Sequence, residues 1–296
     1  MATSVTRANV AKRAGRQAAD LAATALAVAS TILVFVPLAA ICVYLVYKGA
    51  SSLSLAFFLK PPRPFGEAGG GMSEALVGSV LLLAIGSAVG VPIGIASGVF
   101  LAESGRGTRL ANAVRFTADV LNGVPSIVVG LTVYALIFLP QKSFAMLAGG
   151  AALGILMIPA IARSTEAMLL MVPNTVREAA LTLGVPNWRT VLSITLRTAS
   201  PGVIAGCTLA FARIAGETAP LLFFADQAFF VSQRGENTIG GVLTALPLQI
   251  YLYAISPYNE WHRLAWAGAL VLIILIVLAV SLVRYVTSRG TLKGAS

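Results

Sequence analysis

The chain has 296 residues, of which 57% are hydrophobic and only 11% are charged, and its formal net charge is +10. Because soluble domains carry about 25% charged residues, this composition excludes a soluble protein and predicts an integral membrane protein that contacts lipid. The positive charge does not indicate nucleic-acid binding, since Lys and Arg accumulate in the cytoplasmic segments of membrane proteins.

Six apolar segments approach or exceed the roughly 20 residues that a membrane-spanning helix needs. We predict spans, in chain order, at residues 21–47, 75–102, 116–139, 143–168, 198–224 and 264–284. They form one domain, 21–286, between an N-terminal tail at 1–20 and a C-terminal tail at 287–296. The segment 225–262 joins the last two spans, and its apolar part at 241–255 is too short to cross the membrane. The predicted fold class is all-α, with six transmembrane helices.

Most of the 21 Lys and Arg residues fall in the two tails and in alternate connections between the predicted spans. Positive residues mark the cytoplasmic side. We therefore expect a multi-pass protein of a cell (inner) membrane with both termini cytoplasmic. The connection at 171–197 is then cytoplasmic, and the segment 225–262 is external.

Residues that bind metals, cofactors or nucleotides are scarce. His262 is the only histidine, and Cys42 and Cys207 both lie in apolar spans, where they are expected to be core residues. The chain has no Gly-x-x-x-x-Gly-Lys-Ser/Thr loop to hold nucleotide phosphates. We expect no metal site and no cofactor bound by this chain. If ATP drives its function, the hydrolysis occurs in another polypeptide.

The cytoplasmic connection contains a patterned polar stretch, Glu178-Ala179-Ala180-Leu181-Thr182-Leu183-Gly184, followed by Val185-Pro186. Gly just past a helix end and Pro soon after it are stop signals. The pattern predicts a short helix, a sharp turn at 184–186 and a second helix from near Asn187. The small Ala residues and Gly184 would let a docking surface approach closely, and Glu178 offers that surface a charge.

Among the charged residues inside predicted spans, Arg163, Arg213 and Glu217 are the candidates for function, because an isolated charge in lipid costs several kcal/mol. Arg213 and Glu217 are four residues apart, which places them on one face of the predicted fifth helix. Two guanidinium groups facing a shared cavity would suit an oxyanion, with Glu217 neutralising Arg213 when no anion is bound. Two alternatives are open: a purely structural Arg213–Glu217 ion pair, and an Arg163 that reaches the membrane edge.

The spacing from Glu178 to Leu196 resembles the EAA loop of ABC-importer permeases, into which a separate ATPase docks. Arg197 stands where that family usually has Pro. Because Pro201 lies four residues further on, we expect the second helix of the loop to run one turn longer and then break.

Three further stretches resemble the PstA-type permeases of phosphate-specific ABC importers. They are Leu-Asn-Gly-Val-Pro-Ser-Ile-Val-Val-Gly at 121–130, Ile-Pro-Ala-Ile-Ala-Arg-Ser-Thr-Glu at 158–166 and Ala-Arg-Ile-Ala-Gly-Glu-Thr-Ala-Pro-Leu-Leu at 212–222. The resemblance covers roughly residues 74–255. Ala-Pro after Gly-Glu-Thr favours the PstA type over its PstC-type partner.

The resemblance implies a type I ABC importer permease (MetI-like) fold and a non-catalytic transport subunit. It also implies a PstC-type permease partner, a PstB-type ATPase dimer that uses ATP and Mg, and an external phosphate-binding protein. The matched positions assign phosphate passage to Arg163, Arg213 and Glu217, and coupling to Glu178, Ala179, Ala180 and Gly184. A permease for sulfate or molybdate, the PstC-type subunit, and an ion-coupled anion transporter remain alternatives.

Overall fold

A computed structural model of the protein describes residues 2–63, 69–105, 107–141, 145–224 and 244–292, and every regular element in these ranges is helical. The all-α prediction is confirmed. The helices are α1 (Ala2–Ala50), α2 (Leu55–Leu59), α3 (Ser73–Val99), α4 (Arg109–Gly123), α5 (Ser126–Val133), α6 (Leu139–Gln141), α7 (Ala145–Leu170), α8 (Asn174–Thr182), α9 (Asn187–Thr190), α10 (Leu196–Ala215), α11 (Leu246–Ala254) and α12 (Asn259–Leu292). Wider π-helical turns follow α3 (Phe100–Ser104), α5 (Tyr134–Phe138) and α9 (Val191–Thr195), and a 3₁₀ helix spans Ala219–Phe224.

Within the described residues, five helical stretches are long and apolar enough to cross a membrane: Ala19–Ala50, Ser73–Ser104, Ala145–Leu170, Asn187–Ala215 and Asn259–Thr287. A sixth is counted if α4 and α5 form one span, although they are bent by 103°. The bend lies at Val124–Pro125, where both residues have extended backbone angles. Proline disfavours helical geometry in the residue before it. The predicted third span is therefore a broken helix.

Glycines bring α3 and α7 into close contact at the centre of the protein. A Cβ atom added to Gly90 would lie 2.8 Å from the Cβ of Met157, and one added to Gly94 would lie 2.7 Å from the Cβ of Ile161. Small residues allow such close approach between membrane helices. Two-thirds of the residues in the most apolar 18-residue stretch of α7 are consequently buried. In the corresponding stretch of α1, none of the residues is buried.

The predicted fifth span is displaced along the sequence. The helix runs without a break from Asn187 through the π turn and Pro201 to Ala215, so it both begins and ends earlier than residues 198–224. The expected break at Pro201 is wrong. The helix passes through this proline as α3 passes through Pro92 and α7 through Pro159, which membrane helices tolerate when neighbouring groups satisfy the freed backbone.

The two ends of the chain are helical beyond the predicted spans. α1 starts at Ala2, with no boundary between the predicted tail and the first span, and α12 extends past residues 264–284 in both directions. In the predicted external segment, residues 225–243 lie outside the described part of the chain. The rest contributes α11, which packs on α12 through a ring stack of Tyr253 on Trp261, with centroids 4.5 Å apart.

Candidate functional site

Arg163 lies on α7 and is held by two carboxylates. Its Nη1 donates to Oε2 of Glu166 at 2.8 Å, and its Nε lies 3.2 Å from Oδ1 of Asp119 on α4. The Arg163 side chain is 41% exposed, so one part of this arginine is accessible while its charge is balanced. Arg163 is therefore not a free cation in this conformation.

Glu166 is the centre of this arrangement. Its side chain is only 6% exposed, and its second oxygen accepts from Nε of Arg115 at 2.7 Å. Arg115 also donates to Oδ1 of Asn112 and to the backbone oxygen of Leu101, both at 3.1 Å. A buried carboxylate is stable only when it is paired and hydrogen-bonded, and here two guanidinium groups meet that need. We call Arg115, Asp119, Arg163 and Glu166 the α4–α7 charge cluster.

Within the α4–α7 charge cluster, the sequence prediction assigned a pathway role to Arg163 alone. The spacing of Arg163 and Glu166, three residues apart on one helix, is a local signal that predicts a pair. Arg115 and Asp119 come from another helix, and no local spacing relates them to α7. Their role could be found only from the packed structure.

Arg213 and Glu217 do not share a helix face, so that prediction is wrong. α10 ends at Ala215, where Gly216 donates its N–H to the backbone oxygens of Arg213 and Ile214, and Glu217 lies beyond the end. In the described part of the chain no hydrogen bond or ion pair links Arg213 to Glu217, and the Arg213 side chain is exposed. Gly216 and Pro220 in the quoted motif are helix-stop signals that could have predicted this end.

Glu217 instead contacts the broken third span. Its Oε2 accepts from Oγ of Ser126 at 3.1 Å, at the first residue of α5. A carboxylate is favoured there because the N-terminal end of a helix carries partial positive charge. Glu217 also lines a cavity of about 10 Å³ with Ser79 and apolar residues, and neither Arg163 nor Arg213 lines it. The cavity at Glu217 is therefore not one that the two arginines share.

The predicted short helix, turn and second helix of the connection at 171–197 are confirmed. α8 is closed by two backbone hydrogen bonds, from Gly184 N to Leu181 O at 3.0 Å and from Val185 N to Ala180 O at 3.2 Å. Gly184 has φ +80°, and no heavy atom lies within 4 Å of where its Cβ would be. The glycine is therefore required by the backbone conformation and not by crowding.

The four predicted coupling residues have different exposures. Glu178 and Ala179 are exposed, whereas Ala180 is buried and packs within the chain. Two large apolar side chains flank the turn and are strongly exposed, Leu183 at 83% and Trp188 at 66%. Exposed apolar side chains gathered beside polar ones are typical of a protein-binding surface. The sequence prediction did not single out Leu183 or Trp188.

Comparisons with known proteins agree with this architecture. Residues 90–290 match the family described as "Binding-protein-dependent transport system inner membrane component". The phosphate transport system permease protein PstA of Yersinia pestis is 43% identical over 244 residues, covering 82% of this chain and 81% of that protein. PstA of Pasteurella multocida is 44% identical over 235 residues, covering 79% and 82%.

A solved structure shows the same fold. The inward-facing MetNI methionine ABC transporter matches with a TM-score of 0.50 and 21% sequence identity, covering 73% of this chain and 90% of that chain. This likeness confirms the predicted MetI-like permease fold. The family match and this structural likeness together identify the chain as a multi-pass membrane transport component. The chain therefore belongs to the family of binding-protein-dependent transport system inner membrane components, and PstA permeases are its relatives.

Proposed function

We propose that the chain is a membrane-spanning permease subunit of an ATP-driven importer of inorganic phosphate, forming half of the translocation pathway. The observation that carries this proposal is the 43% identity to a PstA permease over four-fifths of both chains. The chain's role is transport and not catalysis, since its relatives are transport subunits. A second permease, of the PstC type, forms the other half of the pathway.

The remaining partners follow from the class of importer. An external phosphate-binding protein delivers the anion, and a PstB-type ATPase dimer hydrolyses ATP with Mg on the cytoplasmic side. The ATPase is a separate subunit, because the present sequence contains no Gly-x-x-x-x-Gly-Lys-Ser/Thr loop to hold nucleotide phosphates. Both termini and the connection at 171–197 are placed in the cytoplasm by the distribution of Lys and Arg.

The ATPase docks on the turn after α8. The exposed Glu178 and Ala179 and the projecting Leu183 and Trp188 support this assignment. Gly184 shapes the turn through its positive φ. Replacing Gly184 with Val is expected to distort the turn and uncouple ATP hydrolysis from uptake, whereas Asn, which tolerates this conformation, is the matched control. Normal stimulated hydrolysis and uptake in the Val variant would refute the docking assignment.

Phosphate passage uses Arg163, Arg213 and Glu217 in an alternating-access cycle. Arg213 is exposed and carries a fork of donors that matches an oxyanion. Arg163 is held by Asp119 and Glu166 in this conformation, so an anion that reaches it exchanges with a carboxylate. Glu217, next to Ser126 at the break in the third span, changes its neighbours when α5 and α10 move.

Competition between anions tests the substrate. The chain is reconstituted in proteoliposomes with the second permease, the ATPase and the binding protein, and uptake of radiolabelled phosphate is measured with excess unlabelled phosphate, sulfate or molybdate. We expect ATP-dependent uptake that only phosphate suppresses. Suppression by sulfate or molybdate instead, or uptake driven by an ion gradient without ATP, would overturn the proposal.

A further inference from the structure

We infer that Arg177 and Glu103 are positioning residues that attach the coupling helix α8 to the π turn ending α3, and through that turn to the α4–α7 charge cluster. The inference rests on the proposed coupling function of the turn after α8. It assigns the route by which movement of that helix reaches Arg163.

Arg177 uses all of its donors. Its Nε and Nη2 donate to Oε1 of Glu103 at 3.2 and 2.8 Å, and Nη1 donates to the side chain of Asn174 at 3.2 Å. Nη1 also donates to the backbone oxygen of Val172 at 2.7 Å, and Nη2 to that of Leu169 at 2.8 Å. A guanidinium group has five N–H bonds, and each of them is matched here.

These contacts join three elements. Arg177 belongs to α8, Leu169 is in the last turn of α7, and Glu103 is in the π turn Phe100–Ser104. The carbonyls at a helix end lack partners within the helix, and a cationic side chain there is favourable. Arg177 therefore caps α7 while it binds the end of α3.

The Arg177–Glu103 pair is shielded from water, with side chains 12% and 11% exposed. Surface ion pairs contribute little free energy, whereas a partly buried, charge-assisted pair with matched donors is stronger and geometrically more specific. Removing either partner leaves a buried charge unpaired, which is unfavourable. The contact therefore transmits displacement of α8 to α3 and α7 and does not act as a loose surface contact.

A second arginine, Arg115, also contacts the π turn. Arg115 on α4 donates to the backbone oxygen of Leu101 in this turn and also pairs with Glu166, which pairs with Arg163. Polar contacts on either side of the π turn, joined by its backbone between Leu101 and Glu103, thus link α8 to Arg163. π turns inside helices occur often at functional sites, and this one lies between the coupling helix and a proposed pathway residue.

Amide hydrogen exchange of the assembled complex tests the attachment. We compare Glu103→Gln, Arg177→Gln and the double variant with Arg109→Gln, because Arg109 is an exposed cation on α4 whose side chain makes no hydrogen bond or ion pair in the described part of the chain. We expect exchange in residues 174–182 to rise about tenfold in both single variants, no further in the double variant, and not at all in the control. Unchanged exchange in the single variants would overturn the inference.

The amount of phosphate taken up per ATP hydrolysed distinguishes a positioning role of Glu103 from a purely local contact. Glu103→Gln keeps the shape of the side chain, so the complex is expected to assemble, while phosphate uptake per ATP hydrolysed falls about tenfold. Retained assembly with unchanged uptake per ATP, or loss of assembly in every variant, would overturn the proposed route. If the wild-type complex does not carry phosphate at all, the proposed substrate fails, and the exchange measurement still decides the attachment of α8.

Discussion

The two arginines proposed for the phosphate pathway, Arg163 and Arg213, have contrasting surroundings. Arg163 belongs to the α4–α7 charge cluster, where two carboxylates balance it and one of these, Glu166, is buried. Arg213 lies in the last turn of α10, exposed and with no ion pair in the described residues. Arginine is thus paired with carboxylates in one region and free of such ion pairs in the described part of the other.

This difference indicates that the two arginine charges have different roles in the protein. A guanidinium left in hydrocarbon costs several kcal/mol, so the exposure of Arg213 indicates a surface that meets water, substrate or a partner subunit. Arg163 contributes to the packing of α4 on α7 through Asp119 and Glu166. We therefore expect substitutions in the two regions to affect transport and stability in different proportions.

Replacing Arg213 should have the largest effect on transport. We expect Arg213→Gln to reduce phosphate uptake to background, because the exposed donor fork for the anion is lost, while the thermal stability of the complex stays unchanged. Arg213→Lys is the matched control and should retain part of the uptake, since it keeps the charge without the fork. Radiolabelled uptake near the wild-type rate in the Gln variant would remove Arg213 from the pathway.

Replacing Arg163 should affect both properties. Arg163→Gln leaves Asp119 without its ion pair and Glu166 with one guanidinium, and we expect a loss of about 1–3 kcal/mol of stability, typical of a buried charged hydrogen bond. Thermal inactivation of the purified complex measures this loss, and uptake should fall as well. If the Gln variant is as stable as wild type, the α4–α7 charge cluster does not contribute to packing.

Asp119 allows the exchange of anions at Arg163 to be tested separately. Asp119 is 57% exposed, so Asp119→Asn should cost less than about 1 kcal/mol of stability. Because the substitution removes one competitor for Arg163, uptake should be maintained or increased. An Asn variant that assembles normally but loses uptake would show that Asp119 itself takes part in passage.

A small effect is also expected at Ser126. Its hydroxyl makes one hydrogen bond to Glu217, and a single such bond contributes about 1 kcal/mol. Ser126→Ala should change the uptake rate by no more than about fivefold without loss of assembly. Complete loss of uptake would give this contact a larger role than its geometry supports.

The sequence allowed the spans and the coupling turn to be predicted because their signals are local. Apolar length predicts a span, and Gly184 followed by Pro186 predicts the turn that the structure contains. The charge contacts are different. Arg115 and Glu166 are 51 residues apart, and Arg177 and Glu103 are 74 apart, so no periodicity relates them.

The end of α10 was missed for another reason. The hydrophobic run continues past Gly216 into the 3₁₀ helix at Ala219–Phe224, and hydrophobic length alone extends the predicted helix across the break. The stop signals were present but the apolar pattern outweighed them. The assumed pairing of Arg213 with Glu217 depended on that uninterrupted helix, and it failed with it.

We propose that a separate ATPase moves this chain, which does not drive transport by itself. Comparison of the chain alone with the full set of subunits tests this proposal most directly. Proteoliposomes containing the chain alone, and the full set of subunits with or without ATP, are compared for accumulation of labelled phosphate against its gradient. We expect accumulation only with the full set and ATP. Accumulation by the chain alone would contradict the account.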